Sequence, residues 1–199
     1  NTGSTSPTII NLCEGVYTDT ITDSRGCMDT VSTFITQPDS LEVTPVIIKN
    51  VSCYGDNSAM AYATASGGTG PYNFEWGSPI ITTNDTLYSA VADTYSIVLR
   101  DSLGCIDINS IVLTQPDTLT SFISDTVHAN CVCNASATVT ASGGITPYSY
   151  KWNDLSNTTD STAQSLCTGD YFVEIIDANG CSDSSFVTIR DTSVFTISL

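Results

Sequence analysis

Two tryptophans, Trp76 and Trp152, stand 76 residues apart, and Cys105 and Cys181 have the same separation. Cys27 precedes Cys105 by 78 residues. Around these fixed points the sequence copies itself. "SGGTGPYNFEW" at 66–76 returns as "SGGITPYSYKW" at 142–152, and "TQPDS" at 36–40 returns as "TQPDT" at 114–118. "DSRGC" at 23–27, "DSLGC" at 101–105 and "DANGC" at 177–181 align without gaps. A chain with a fixed period solves the same folding problem in each copy. The copies run 1–40, 41–117 and 118–192, with the start of a further one at 193–199.

The first copy lacks the glycine–proline–tryptophan half, and Asn1 aligns just past where its Trp would stand. The expectation is that the sequence begins inside a repeat and is a piece of a longer array. The polar opening "NTGSTSPTII" carries no secretion signal, which says nothing about export if the true start lies elsewhere.

Within the third copy, "LTSFISDTV", "ASATVTAS", "PYSYKW", "YFVEIID" and "SFVTI" are short β-rich runs. Turn residues separate them: Gly143-Gly144, Asn153-Asp154, Thr168-Gly169-Asp170 and Ala178-Asn179-Gly180. Ser, Thr, Val, Ile, Tyr and Gly dominate the composition, and no segment holds a helical period. Six or seven short strands per copy, with frequent turn signals, predict an all-β sandwich. The second copy has two more residues than the third before the glycine pair, which, placed within a strand, preserve its inward and outward faces.

Two details predict tandem immunoglobulin-like β-sandwich repeats forming an extended rod. Trp76 and Trp152 fall on the third strand, where such folds bury a Trp. "LCTGDY" at 166–171 has the form of a tyrosine corner, with Tyr171 opening the sixth strand; "LCEGVY" matches it at Tyr17, and "AVADTY" more loosely at Tyr95. These five aromatics are read as core. Gly143, Gly144 and Pro147 shape the connection between strands two and three.

Ser-Gly-Gly-x-x-Pro-Tyr-x-aromatic-x-Trp, then Gly-x-Tyr-x-Val, then Asp-x-x-Gly-Cys, in that order, resembles the SprB repeat. The resemblance covers the second and third copies and the back half of the first. The second copy departs from it with Ala90 for Leu, Asp93 for Gly, and Ser96-Ile97 in the strand. The resemblance implies a segment of a very large cell-surface adhesin of Bacteroidota, exported by type IX secretion. In the best-known member the filament moves along the cell surface and drives gliding.

The 8 cysteines suit an oxidising compartment. Cys133 and Cys167 occur together in the third copy, and their second-copy counterparts, near Asn57 and at Val91, lack cysteine together. That predicts a Cys133–Cys167 bridge. Cys53 and Cys131 fall near the end of strand one, and Cys105 and Cys181 at the start of the last strand, at opposite ends of a sandwich. A strand of 5–6 residues spans ~17–20 Å, whereas bridged Cα atoms lie within about 7 Å. Stacked domains would instead bring Cys53 to Cys181 across a junction. Cys131 would then pair with a fourth repeat, Cys105 and Cys13 with the absent half of the first, and Cys27 with the repeat before it. The alternative is Cys53–Cys105 and Cys131–Cys181 inside each repeat, which needs only a shifted first strand. Cys131-Val132-Cys133 has no second cluster to make a zinc site.

With 21 acidic against 5 basic residues and a formal net charge of −16, the chain cannot neutralise a phosphate backbone. Nucleic acid is excluded as a partner, and anionic membrane surfaces are disfavoured. No apolar run is long enough to insert in a bilayer. Of 17 Asp, 12 precede Ser or Thr, and 8 of those continue into Ala, Ile, Leu, Val, Met or Thr. That pattern is similar to the O-glycosylation signal of exported Bacteroidota proteins. The sugar would sit on Thr20, Thr30, Ser40, Thr86, Ser102, Thr118, Thr126 and Ser161. The competing reading is turn chemistry, since Asp followed by Ser or Thr bonds its own backbone.

No nucleophile, P-loop, dinucleotide or metalloprotease motif occurs, so the chain does not read as an enzyme. The lone histidine, His128, has no Asp or Ser partner in sequence. No cofactor is expected. Calcium has its best ligands in Asp101, Asp107, Asp177 and Asp183 around the last turn, without an EF-hand loop. Three functions remain: a structural and adhesive fibre, a module whose loops hold carbohydrate or a partner, and a stalk presenting an adhesin or enzyme tip. The partners are adjacent repeats of the same long chain and a surface or polysaccharide ligand, and the location is extracellular, on the bacterial cell surface. Constant-period copying of a core motif favours the fibre.

Overall fold

The computed structural model describes residues 8–10, 12–77 and 82–193. The start of a further repeat expected at 193–199 lies, except for Ser193, outside the described residues. No helix among the described residues is long and apolar enough to cross a membrane.

The fold is all-β. In the first copy, β1 (Gly15–Thr22) and β2 (Met28–Ile35) form an antiparallel hairpin. The second copy holds β3 (Glu42–Lys49), β4 (Ala59–Ser66), β5 (Asn73–Trp76), β6 (Thr86–Ala90), β7 (Asp93–Arg100) and β8 (Ile106–Leu113). The third holds β9 (Thr120–Val127), β10 (Ala135–Ser142), β11 (Ser149–Trp152), β12 (Thr162–Leu166), β13 (Gly169–Ile176) and β14 (Ser182–Ile189). Each complete copy is two three-stranded antiparallel sheets, β3-β4-β6 over β5-β7-β8 and β9-β10-β12 over β11-β13-β14. This is a six-stranded, immunoglobulin-like sandwich.

The core follows from alternation. In β4, Ala59, Ala61 and Ala63 face inward while Met60, Tyr62 and Thr64 face out. In β10, Ala135, Ala137 and Val139 do the same. Small residues on this sheet leave the depth that an indole needs on the opposite one. Trp76 and Trp152 are buried there, at 0% and 1% exposure, against Leu87, Tyr95, Ile97 and Leu99 in one repeat and Ala163, Val173 and Ile175 in the other. A well-packed layer of this kind supplies most of the burial energy of a small domain.

Two strand details differ from expectation. The two extra residues of the second copy lie in the loop before β4 and not in the strand, since β4 and β10 are both 8 residues long. They are taken up by a turn in which Asp56 N donates to Cys53 O, with Gly55 at φ 80°. The corner tyrosines open the fifth strand of six, because no strand forms between β5 and β6 or between β11 and β12 among the described residues.

The corner itself recurs in all three copies. Tyr17 Oη donates to Cys13 O at 3.0 Å, Tyr95 Oη to Val91 O at 3.2 Å and Tyr171 Oη to Cys167 O at 3.3 Å. Tyr95 is buried and Tyr171 half-buried. Tyr17, expected in a core, is also only half-buried, because the β1–β2 hairpin has no facing sheet among the described residues.

The first and last strands of each sandwich meet side by side. Val43 N donates to Asp107 Oδ2 at 2.7 Å, and Asn109 Nδ2 donates to Val43 O at 3.0 Å. In the third repeat, Ser121 Oγ donates to Asp183 Oδ2 at 2.6 Å. These side chains close one flank of the sandwich. On the other flank, β6 and β12 are 5-residue edge strands. Their pairing with β4 and β10 is irregular, and each contains a serine in left-handed conformation, Ser89 (φ 52°) and Ser165 (φ 57°). Short, irregular edges discourage unwanted strand addition.

Candidate functional site at the junction between repeats

Each complete repeat has a leading end, where the chain enters, and a trailing end, where it leaves. At the leading end the Asp-x-x-Gly-Cys segment forms one turn in every copy. Asp177 Oδ1 accepts from Asn179 N at 2.9 Å and Cys181 N at 2.8 Å. Asp101 Oδ1 accepts from Leu103 N and Cys105 N, and Asp23 Oδ1 from Arg25 N and Cys27 N. The glycine sits at φ 83–86° in each. The turn therefore delivers its cysteine to the start of the last strand in a fixed position.

The second carboxylate oxygen ties this turn to the glycine pair. Asp177 Oδ2 accepts from Ile145 N at 2.8 Å, and Asp101 Oδ2 from Thr69 N at 3.0 Å. The glycine pair also holds the incoming linker, since Gly144 N donates to Asp117 O at 2.9 Å and Gly68 N to Asp39 O at 2.8 Å. A β-carbon on Gly143 would lie 2.0 Å from Thr118 O, and one on Gly67 2.0 Å from Ser40 O. Tyr148 and Tyr72 then clamp the carbonyls of Gly143 and Gly67, each at 2.6 Å. Three motifs that are far apart in sequence thus form one structural unit. Burial opposes ionisation of Asp101 and Asp177, but the converging amides outweigh it and hold both carboxyls below their usual range.

The trailing end is built by the loop after the first strand. Val51 N donates to Thr114 O at 3.0 Å, Thr114 N to Asn50 Oδ1 at 3.0 Å and Gly55 N to Gln115 Oε1 at 2.8 Å. The trailing end of the second repeat meets the leading end of the third. There Cys53 is bonded to Cys181, with S–S 2.03 Å, Cα–Cα 5.7 Å and a sequence separation of 128. Asn179 Nδ2 donates to Ser52 O at 2.9 Å beside it. A cleft of about 390 Å³ opens between the ends, with Lys49, Gln115, Pro116 and Ile145 in its walls.

Cys133 is bonded to Cys167 within the third repeat. Cys13, Cys27, Cys105 and Cys131 carry exposed free thiols. The alternative bonds Cys53–Cys105 and Cys131–Cys181 are not formed. An 8-residue strand separates the two ends at which Cys53 and Cys105 stand. The charge of Asp101, followed by burial, pushes the Cys105 thiol up.

The carboxylates considered for calcium are turned to other donors. Asp101 and Asp177 face backbone amides, Asp107 faces Val43 N and Asp183 faces Ser121 Oγ. No group of three or more His, Cys, Asp or Glu suited to a metal occurs among the described residues. His128 Nδ1 accepts from Arg190 N at 3.4 Å. Of the hydroxyls considered for glycosylation, Thr20 and Thr30 are exposed and directly opposed in the β1–β2 hairpin, and Ser40, Ser102 and Thr118 are exposed. Thr86, Thr126 and Ser161 are half-buried. Asp29 and Asp125 accept from the amides of Thr30 and Thr126, which is the local backbone bonding that competes with a modification signal.

Sequence reasoning missed the Asn179–Ser52 contact and the pairing of Asp107 and Asn109 with Val43. It also missed the meeting of linker, glycine pair and aspartate turn. The constant offsets between those three motifs were the available signal for the last.

The SprB repeat family matches the chain over residues 46–79 and 124–157, the same stretch of the second and third copies. Comparison with curated proteins gives no match. Among solved structures, the chain is similar to the C-terminal 282-residue fragment of intimin in complex with the translocated intimin receptor intimin-binding domain. Identity is 10%, coverage is 79% of this chain and 66% of that one, and the TM-score is 0.39. A tetra-tandem repeat in the extending region of a large adhesion protein shows 14% identity, coverage of 91% and 58%, and a TM-score of 0.30. The N-terminal eight immunoglobulin domains of Down syndrome cell adhesion molecule show 18% identity, coverage of 84% and 26%, and a TM-score of 0.36. The chain spans less than two thirds of each of these structures.

Proposed function

We propose that this chain, which belongs to the SprB-repeat family through residues 46–79 and 124–157, is a segment of a large adhesin that forms a stiff fibre on the outside of the cell. Its role is structural and adhesive. Each repeat acts as a spacer, and its partners are the repeats before and after it. The observation that carries this reading is the Cys53–Cys181 bond across the junction, backed by Asn179 on Ser52. A module that worked alone has no use for a covalent tie to its neighbour.

On this reading Cys105 and Cys131 are the same two positions at the other ends of the pair, and each bonds a further repeat. Cys13 and Cys27 take their partners in the same way, within and before the first repeat. Type IX export and surface gliding are the finer expectations that come with the family, and glycosylation of the hydroxyls is the one that comes with the Asp-Ser and Asp-Thr pattern. A carbohydrate-binding role would call for exposed aromatics repeated on one face. Phe172 and Phe186 lie 6.1 Å apart on the outer face of the third repeat, but their second-repeat counterparts are Ser96 and Ser110.

Immunogold labelling of intact cells that produce the parent protein, with an antibody to residues 41–192, tests the reading. Label on filaments outside the cell is expected, and it should vanish after protease treatment of intact cells. Label confined to the interior would overturn it.

A further inference from the structure

Two covalent links cross the junction between the second and third repeats. One is the peptide segment 114–119, which leads from β8 into β9. The other is Cys53–Cys181, which leads from the loop after β3 into β14. β3 and β8 lie side by side and run in the same direction. Both start at the leading end, and beyond their far ends Val51 N meets Thr114 O. β9 and β14 repeat this arrangement, with a parallel bridge between Ala129 and Asp191 where they finish. The β3/β8 pair is thus joined to the β14/β9 pair twice, once by peptide and once by sulfur. Each link passes from one sheet of the second repeat to the other sheet of the third.

We propose that this junction is a tension bypass. A pull applied at the two ends of this chain reaches β3, crosses Cys53–Cys181 and leaves through β14, while residues 54–180 hang between the two sulfurs and carry none of it. Force follows the shortest covalent path. That path contains two 8-residue strands and a short loop. Strands already rise ~3.3–3.4 Å per residue, close to the ~3.3–3.6 Å limit of an extended chain. The path has almost no slack to release, even if both sandwiches come apart. Both tryptophans, the Tyr95 and Tyr171 corners and the Cys133–Cys167 bond all lie inside the bypassed stretch. Tension therefore reaches the two cores only through the residues that the loaded path itself contributes, Val43 and Val51 in the second repeat and Ile189 in the third. The proposal rests on the fibre reading only for the direction of the load.

The test is single-molecule pulling of the full chain through tags at its two ends, which avoids the free thiols. Under oxidising conditions, the stretch between the sulfurs should stay hidden up to bond rupture. Adding reductant should lengthen the fully extended chain by roughly 420–460 Å, the 128-residue separation taken at about 3.3–3.6 Å per residue. The double variant Cys53→Ser, Cys181→Ser should release that length without reductant, less the loop of separation 34 that Cys133–Cys167 still closes, which hides roughly 110–120 Å. Release of the full length by the oxidised wild-type chain would overturn the bypass, as would equal lengths for wild type and double variant. These lengths do not depend on where the protein resides. Failure of the surface label therefore counts against the fibre alone, and failure here counts against the bypass alone.

Discussion

Gly144 and Asp177 leave no room between them for a β-carbon. One built on Gly144 would lie 2.6 Å from Asp177 Oδ2, and Gly144 sits at φ 57°. Left-handed backbone costs a non-glycine residue ~1–2 kcal/mol, and here the clash adds to it. Gly144→Ala should destabilise the third repeat by more than ~2 kcal/mol in denaturant titration. Gly180→Ala has a left-handed φ of 86° but open space around it, and should cost about 1 kcal/mol. Equal costs at the two positions would mean that the carboxylate contact is unimportant.

The same carboxylate gives the third repeat a pH dependence. Amides from Ile145, Cys181 and Asn179 outweigh burial and lower the Asp177 carboxyl below its usual value. A depressed folded value means that its stabilisation is in place above the unfolded value of about 4 and is lost as pH falls through the folded one. Asp177→Asn should therefore weaken the repeat at pH 7. The gap between variant and wild type should narrow as the solution is taken below about pH 4. Unfolding midpoints in urea at a series of pH values read this directly, and a gap independent of pH would contradict it.

Tyr95 is fully buried and spends its hydroxyl on Val91 O at 3.2 Å. Burial raises its ionisation point, and the bond to Val91 pulls the other way. Tyr95→Phe keeps the ring and strands the carbonyl, for an expected loss of about 1 kcal/mol. Calorimetry of the variant should show one weakened transition, assigned to the second repeat, with the third unchanged.

Cys133–Cys167 closes a loop of separation 34 in the third repeat, and the second repeat has no such bond. Loop-closure entropy for that length corresponds to about 3–4 kcal/mol. The double variant Cys133→Ser, Cys167→Ser should lower the stability of the third repeat by that order and leave the second where it was. Hydrogen exchange resolved by repeat would separate the two. An equal drop in both would show that the repeats unfold as one unit.

The strands were readable because their signals are local. "ASATVTAS" alternates small inward and polar outward residues and is β10, and "YFVEIID" places Val173 and Ile175 inward and contains all but the first two residues of β13. The tyrosine corner was readable for the same reason, since Tyr171 and Cys167 are four residues apart. The position of the two extra residues was misread. A loop turn around Gly55 absorbs length as readily as a strand does, and composition alone does not separate the two.

The amino-acid order alone establishes the period, the all-β repeat and the burial of Trp76 and Trp152, because turn chemistry and alternation act over a few residues. It also determined that Cys133 and Cys167 come and go together. It left the partner of Cys53 open, because both Cys105 and Cys181 stand at the start of a last strand and look alike in one dimension. The stacking of the two sandwiches separates them. Within a repeat, a strand's length holds Cys53 away from Cys105. At the junction, the trailing loop of one sandwich rests on the aspartate turn of the next, with Cα atoms 5.7 Å apart. That choice depends on how whole domains stack, and stacking is a property of surfaces assembled from distant segments, which no short stretch of sequence contains.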